Sequence, residues 1–208
     1  MRLDRFLTGQ NISSRKEAKE LAKAGLITVN GAVTKDTSSS INPETDLITV
    51  RGIPVQYKEH LYIMLNKPRG VVCATEDKRH RTVLELLPES LQRRDLFPAG
   101  RLDIDTEGFV LITDDGEFAH KMLSPKQHVS KTYRAVLAHG ITEEEITRFC
   151  SGVTLEDGTP CLPAKLTVLE DGGKPLVEVI LYEGKFHQVK RMFQAVGNRV
   201  EALSRVKI

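Results

Sequence analysis

The sequence predicts an α+β protein with a small N-terminal domain and a larger, mainly antiparallel-sheet domain. Its 208 residues exceed the size of one average domain. Residues 1–58 carry nine Lys and Arg against six Asp and Glu, whereas the remainder carries 21 against 22. Helical spacing of apolar residues dominates the first part, and short apolar runs between turn residues dominate the rest. We therefore divide the chain into residues 1–56, a linker at 57–60 and residues 61–208.

Composition and cysteine usage exclude several classes of protein. Hydrophobic residues make up 40% and charged residues 28% of the chain, as in globular and not in disordered proteins. No apolar run approaches the ~20 residues that a membrane helix needs, and the N-terminus resembles no targeting peptide, which predicts a cytoplasmic protein without a membrane partner. Cys73, Cys150 and Cys161 include no Cys-x-x-Cys pair, so we expect neither a zinc site nor a disulfide framework.

Two helices and a small sheet are predicted for the N-terminal domain. Apolar residues within 3–7 have helical spacing, and a second helix with a serine cap spans 14–24. Residues 26–29 and 47–50 have the composition of strands, and the Asn-Gly pair at 30–31 is a strong hairpin signal. The second helix turns several basic side chains outward. By charge alone, such a face is as often an ordinary solvated surface.

The larger domain is predicted to be an antiparallel sheet that carries a few helices. In chain order we expect strands at 61–65, 71–74 and 109–113, a helix at 117–123 and a strand at 131–138. Thr142 and Glu145 form a capping box for a further helix, which Gly152 ends. Turn residues at 157–158 and 172–173 indicate hairpins.

A last helix is predicted at 186–196. Its spacing places Phe186, Val189 and Phe193 on one apolar face, which we expect to be buried. Lys190 lies away from that face.

The loop at 98–108 concentrates charge and glycine directly before a buried strand, and loops of this kind often carry function. Asp103, near its middle, can be explained as a turn cap that pairs with Arg101. The spacing of carboxylates also imitates a calcium-binding loop. However, its flanks have the pattern of loop and strand, and Asp114 stands where such a loop needs glutamate. We therefore expect no metal.

Four separated motifs resemble those of pseudouridine synthases, in the same order. They are Gly100-Arg101-Leu102-Asp103, Lys131-Thr132-Tyr133, the run from Gly184 to Met192, and Leu203-Ser204-Arg205. Residues 2–7 and 27–31 resemble the S-four-type, or alpha-L, RNA-binding domain that a small-subunit ribosomal protein also contains. Residues 187–192, His-Gln-Val-Lys-Arg-Met, resemble the RsuA branch of the family, whose members modify small-subunit ribosomal RNA.

The resemblance implies isomerisation of one uridine of 16S ribosomal RNA to pseudouridine, without a cofactor and with Asp103 as the catalytic carboxylate. Asp103 would attack the anomeric carbon or accept a sugar proton, and only its ionised form serves either role. Lys190 matches the family's basic residue, more often Arg, that pairs with this carboxylate, although the adjacent Arg191 could compete. Tyr133 matches the tyrosine that packs on the target base.

The same resemblance implies contacts with RNA. Arg101 would bind phosphate or fill the place that a flipped base leaves, and Leu203 would form an apolar wall against the uracil. Arg15, Lys16 and Lys19 of the second helix are our candidates for contacts with the RNA backbone. The implied partner is ribosomal RNA, within a partly assembled small subunit, bound by a monomer.

Three alternatives remain open. The same chemistry could act on large-subunit ribosomal RNA. A ribosome-assembly protein could use these modules to bind RNA without catalysis, although binding alone needs no buried carboxylate. A glycosidase could use Asp103 and Asp105 as an acid and base pair if the loop makes the two carboxylates converge.

Overall fold

The structure, a computed structural model, describes the backbone of residues 1–208 and every side chain except that of Pro125. Contacts divide the chain into two compact units, Met1–Leu61 with Leu86–Leu96, and Tyr62–Glu85 with Phe97–Ile208. The domain boundary at 57–60 stays a prediction, and contacts group residues 86–96 with the first unit, not with the second. No helix in the described chain is long and apolar enough to cross a membrane.

The first unit contains two helices and a four-stranded antiparallel sheet. Its elements are α1 (Leu3–Gly9), α2 (Arg15–Lys23), β1 (Ile27–Val29), β2 (Ala32–Val33), β3 (Ile48–Val50) and β4 (Ile53–Pro54), and the strand order is β2-β1-β3-β4. Ser14 caps α2 together with Glu17, as the serine cap predicts. Asn30 and Gly31 both have positive φ, the conformation that a tight hairpin turn between β1 and β2 requires.

Residues 86–96 join the first unit through hydrogen bonds to backbone carbonyls. The Arg93 guanidinium donates to the carbonyls of Gly9 and Lys58, and the Asn11 amide donates to the Glu89 carbonyl at 2.8 Å. The periodicity of the sequence gives no sign of these contacts, because side chain to backbone bonds leave no repeating pattern.

The second unit is a mixed sheet with three helices. Its elements are β5 (Tyr62–Lys67), β6 (Phe97–Ala99), β7 (Glu107–Thr113), α3 (Gly116–Leu123), β8 (Lys131–Leu137), α4 (Glu143–Ser151), β9 (Lys165–Glu170), β10 (Leu176–Leu181), α5 (Gln188–Ala195) and β11 (Val200–Lys207). The strand order is β5-β7-β11-β8-β10-β9, with β6 also paired to β7. These pairings are antiparallel except that between β7 and β11. The predicted α+β class and mainly antiparallel sheet are confirmed.

The core of the second unit lies between its sheet and helices α4 and α5. The rings of Phe149 and Phe193 lie 4.8 Å apart at its centre, and both are fully buried. Thr142 and Glu145 form the predicted capping box at the start of α4. Gly152 ends this helix with a φ of 95°, a conformation that favours glycine.

Two predicted elements are wrong. Residues 71–74 form no strand, and only an isolated bridge joins Val72 to Thr82. Phe186 does not lie on the buried face of the last helix, because His187 has a left-handed backbone (φ 49°) and α5 begins only at Gln188. Phe186 is instead 74% exposed.

Strand β11 carries the Leu203-Ser204-Arg205 motif, and the sequence analysis did not identify it. It runs parallel to β7, with Ser204 opposite Glu107 and Arg205 opposite Gly108. The strands approach so closely that a Cβ on Gly108 would lie 2.2 Å from the Arg205 carbonyl oxygen. The C-terminal Leu-Ser-Arg motif therefore lies directly beside the loop that carries Asp103.

Candidate active site

Asp103 lies in the loop between β6 and β7. Hydrogen bonds hold this loop at both of its ends. The buried Arg205 side chain donates from Nε to the Phe109 carbonyl at 2.9 Å and from Nη1 to the Arg101 carbonyl at 3.5 Å. Inside the loop, the Thr106 amide donates to the Asp103 carbonyl at 3.1 Å. The guanidinium thus bridges the backbone on the two sides of Asp103.

The Asp103 carboxylate has two basic neighbours from the start of α5. Lys190 Nζ lies 3.2 Å from Oδ2, and His187 Nε2 lies 3.4 Å from Oδ1. The side chains of Asp103 and Lys190 are 29% and 25% exposed, so that solvent screens this ion pair only in part. Arg191, the competing candidate, instead contacts Asp157 at 2.5 Å. The sequence did not predict the contact between His187 and Asp103, although His187 belongs to the motif from Gly184 to Met192.

Asp105 shares the same lysine. Lys190 Nζ lies 2.6 Å from Asp105 Oδ1, and this hydrogen bond lowers the pKa of the Asp105 carboxyl from its ordinary value. Lys190 therefore donates to two carboxylates of one loop, which a point-like ammonium with three donors can do.

A groove opens beside Asp103. Its inner part is a cavity of about 70 Å³, which Asp103, Tyr133 and Leu203 line. A wider groove of about 640 Å³ shares Arg101, Asp103 and Tyr133 with that cavity. The structure thus brings Arg101, Asp103, Tyr133 and Leu203 together at this groove, and Lys190 contacts the Asp103 carboxylate.

Buried cations surround the groove. Lys131 and Arg205 both line it and are 7% and 3% exposed. Burial lowers the pKa of Lys131, and the positive charge of Arg205 lowers it further. Neither side chain forms an ion pair with a carboxylate among the described residues. The groove is lined by four Lys and Arg side chains and two carboxylates, an excess of basic groups that suits a polyanion.

The turn that carries Phe186 and His187 is held by a half-buried carboxylate, that of Glu183. Burial alone would raise the pKa of Glu183, but hydrogen bonds from Lys185, the Leu162 amide and Gln188 lower it below its ordinary value. Glu183 is therefore an ionised acceptor that fixes the turn between β10 and α5.

The predicted RNA-binding side chains of the first unit lie on one helix. Arg15, Lys16 and Lys19 are exposed on α2, whereas Ala18 and Ala22 of the same helix are buried. Helix α2 is therefore amphipathic, as its sequence predicts.

The described side chains include no group of three or more His, Cys, Asp or Glu residues that could hold a metal ion. The loop after Asp103 enters strand β7 at Glu107, so that its second half is extended and has no helix after it until Gly116. This is not the geometry of a helix-loop-helix calcium site.

Comparisons with known proteins give one consistent result. The sequence profile of RNA pseudouridylate synthases matches residues 61–195, and that of the S4 domain matches residues 1–47. The chain is 46% identical over its full length to "Uncharacterized RNA pseudouridine synthase YtzG" of Bacillus subtilis and 44% identical to "Ribosomal small subunit pseudouridine synthase A" of Yersinia pestis, and it covers 87% of each. A solved structure described as a pseudouridylate synthase has a TM-score of 0.64 and 37% identity, over 99% of this chain and 87% of that one.

Proposed function

The chain belongs to the RNA pseudouridylate synthase family and is an isomerase, and from this premise we propose that it converts one uridine of 16S ribosomal RNA to pseudouridine. The observation that carries the proposal is the Asp103 carboxylate, which Lys190 contacts at 3.2 Å inside a groove that Tyr133 also lines. Relatives named as small-subunit enzymes support the choice of RNA.

Asp103 is the proposed catalytic carboxylate. In the reaction, the bond from N1 to the anomeric carbon breaks, the uracil turns, and a bond from C5 to that carbon forms. The proton that C5 loses balances the one that N1 gains, so the reaction needs no redox partner or group donor. Asp103 would attack the anomeric carbon or accept a sugar proton, and the Lys190 ammonium group, 3.2 Å away, would orient its carboxylate.

Tyr133 and Leu203 are the proposed walls of the uracil site. Both line the small cavity that Asp103 also lines, so a uracil seated there would have its sugar near the carboxylate. Arg101 lies at the exposed rim, where it would contact phosphate or take the place of the flipped base. A groove of about 640 Å³ is in the range that takes a bound nucleotide.

The first unit would supply affinity for RNA. Arg15, Lys16 and Lys19 present their charges on one exposed helix face, which suits contacts with phosphates that do not depend on sequence. We propose that a monomer acts in the cytoplasm on a partly assembled small subunit, where ribosomal RNA is still accessible.

Electrostatics disfavours the glycosidase alternative. An acid and base pair needs one carboxyl with a raised pKa that keeps its proton. Lys190 contacts both Asp103 and Asp105, and the pKa of Asp105 is lowered. Asp105 is thus not suited to act as the protonated acid.

The test is pseudouridine formation on small-subunit and large-subunit ribosomal RNA transcripts, bare and protein-bound. We expect wild type to modify one small-subunit uridine. Asp103→Asn, which keeps the shape but not the charge, should bind RNA while its rate falls at least ~100-fold. Asp171→Asn, in the turn between β9 and β10, is the matched control and should retain activity. Modification of large-subunit RNA alone would move the proposal to that target, and an active Asp103→Asn would remove Asp103 from the chemistry.

A further inference from the structure

Phe186 is the most exposed phenylalanine of the chain. It is 74% exposed, whereas the next most exposed phenylalanine, Phe118, is 43% exposed. Covering a phenylalanine ring lowers the free energy, so this exposed ring would be stabilised by a ligand that stacks on it. Phe186 also lines the groove that contains Asp103 and Tyr133.

The ring of Phe186 has one covered face and one open face. It stacks on the ring of His187 with a centroid distance of 3.7 Å and an interplanar angle of 19°. His187 in turn lies 3.4 Å from the Asp103 carboxylate. Two stacked rings thus lie beside the Asp103 carboxylate, and the 74% exposure of Phe186 leaves most of the second ring open to a ligand.

The backbone under this ring is held in place. The Lys185 amide donates to the Gln188 side chain at 2.8 Å, and the Arg191 side chain donates to the Phe186 carbonyl at 3.4 Å. Gln188 itself is buried and donates to Glu183 at 2.6 Å. The exposure of Phe186 is therefore a fixed feature of the site, and a ligand that stacks there would order little further.

We propose that Phe186 is a stacking platform for a nucleobase that neighbours the reacting uridine. This proposal rests on the proposed function, because it takes the groove to be an RNA site. Phe186 lines the wider groove but not the small cavity beside Asp103 and Tyr133, so it receives a flanking base and not the target uracil. Aromatic rings stack on unpaired bases, and a phenyl ring, which has no hydrogen-bonding group, accepts every base.

The charge of the groove favours RNA over an apolar protein partner as the occupant. Four basic side chains, Arg101, Lys131, Lys185 and Arg205, line the same groove, against the two carboxylates of Asp103 and Glu183. A polyanion whose bases stack and whose phosphates meet cations matches this combination, as in other single-stranded nucleic-acid sites.

The first test replaces the ring while leaving the fold intact, since an exposed side chain contributes little to stability. We expect Phe186→Ala and Phe186→Leu to raise KM for a small-subunit ribosomal RNA transcript roughly 5- to 150-fold, with kcat little changed. Leucine is apolar but has no flat face. A raised KM for Phe186→Leu would therefore show that stacking, and not only hydrophobic contact, binds the RNA. Phe186→Tyr should restore KM, and Phe118→Ala, on the exposed side of α3, should match wild type.

The second test uses the absence of tryptophan from the chain. Phe186→Trp then carries a single indole, whose fluorescence should be quenched when the same transcript binds, while that of Phe118→Trp should not change. Equal KM for wild type, Phe186→Ala and Phe186→Leu, or no quenching at position 186 when RNA is bound, overturns the platform. Because quenching reports binding and not chemistry, it is read separately from pseudouridine formation. Quenching with an inactive wild type would support the platform and remove the proposed function.

Discussion

Lys190 is the residue on which the charge balance of the site depends. Its ammonium group lies 3.2 Å from Asp103 and 2.6 Å from Asp105, so that one cation serves two carboxylates. A lysine can do this because its three N–H donors point in separate directions. In contrast to an arginine, which can form two parallel hydrogen bonds to one carboxylate, Lys190 makes a single contact with Asp103.

Removal of the Lys190 charge should slow catalysis. We expect Lys190→Met to lower kcat roughly 10- to 100-fold, since a hydrogen bond to a charged group contributes about 1.5–3 kcal/mol. Lys190→Arg should keep most of the activity. Both variants are assayed on the transcript that wild type modifies, with RNA binding measured in parallel. Full activity of Lys190→Met would mean that Asp103 needs no cationic partner.

The same variant has a predicted effect on acid stability. A carboxyl whose pKa is lowered in the folded state stabilises the fold above its ordinary pKa, and this contribution is lost as pH falls through the lowered value. Asp105 is such a group, with the hydrogen bond from Lys190 as the main cause. Because its side chain is 66% exposed, the contribution is at most about 1 kcal/mol. The wild type and Lys190→Met should thus differ in unfolding free energy at neutral pH and converge in acid.

At the scale of secondary-structure elements, the parallel pair of β7 and β11 positions the loop that carries Asp103. The pair requires a residue without Cβ at position 108, because Gly108 has a φ of 108° and lies against the Arg205 backbone. The Arg205 side chain can then reach the Phe109 and Arg101 carbonyls and fix the loop around Asp103.

Gly108→Ala should therefore impair both stability and activity. The methyl group would meet the Arg205 carbonyl oxygen at 2.2 Å, and alanine does not adopt this φ without strain. We expect a loss of about 3 kcal/mol or more in the free energy of unfolding, measured by denaturant titration. Gly140→Ala is the control, because no atom lies within 4 Å of its added Cβ, and it should change stability by less than about 0.5 kcal/mol. Equal losses of unfolding free energy for both substitutions would show that the close contact between β7 and β11 does not cause the effect.

At the scale of the whole molecule, local patterns in the sequence predicted most elements but not how they meet. Capping residues such as Ser14 and Thr142 act on their own helices, so they can be recognised without tertiary information. Strand β11 was missed because its residues alternate irregularly in burial, and its partners β7 and β8 are distant in sequence. Phe186 was placed in the core because it continues the periodicity of α5, and only the left-handed backbone of His187 breaks that helix.

The candidate site shows the same division. The motifs around Asp103, Tyr133, Lys190 and Leu203 were recognised from sequence, and the structure brings these residues to one groove or its edge. The bridging of Asp103 and Asp105 by one lysine is a matter of side-chain distances, which spacing along the chain does not encode.

The distribution of charge over the whole chain leads to the last prediction. The net charge is only +2, yet residues 1–58 hold an excess of three positive charges, and three of their basic side chains share the exposed face of α2. Each phosphate that a protein cation neutralises releases counterions, so affinity depends steeply on salt in proportion to the number of such contacts. If α2 binds the RNA backbone, the triple variant Arg15→Gln, Lys16→Gln and Lys19→Gln should have a shallower plot of log Kd against log salt concentration. We expect its slope to fall by about 2 to 3.

A matched variant separates this local effect from the loss of charge itself. Lys126, Lys165 and Lys174 are exposed residues of the second unit, and their replacement by Gln removes the same total charge. General electrostatic attraction would make both triple variants flatten the salt plot equally, since the field of the whole protein counts every charge at long range. Specific phosphate contacts on α2 should instead confine the change to the first variant, with kcat at saturating RNA unaltered in both. An unchanged slope in the α2 variant would assign RNA affinity to another surface, and the cationic groove beside Asp103 would be the next to examine.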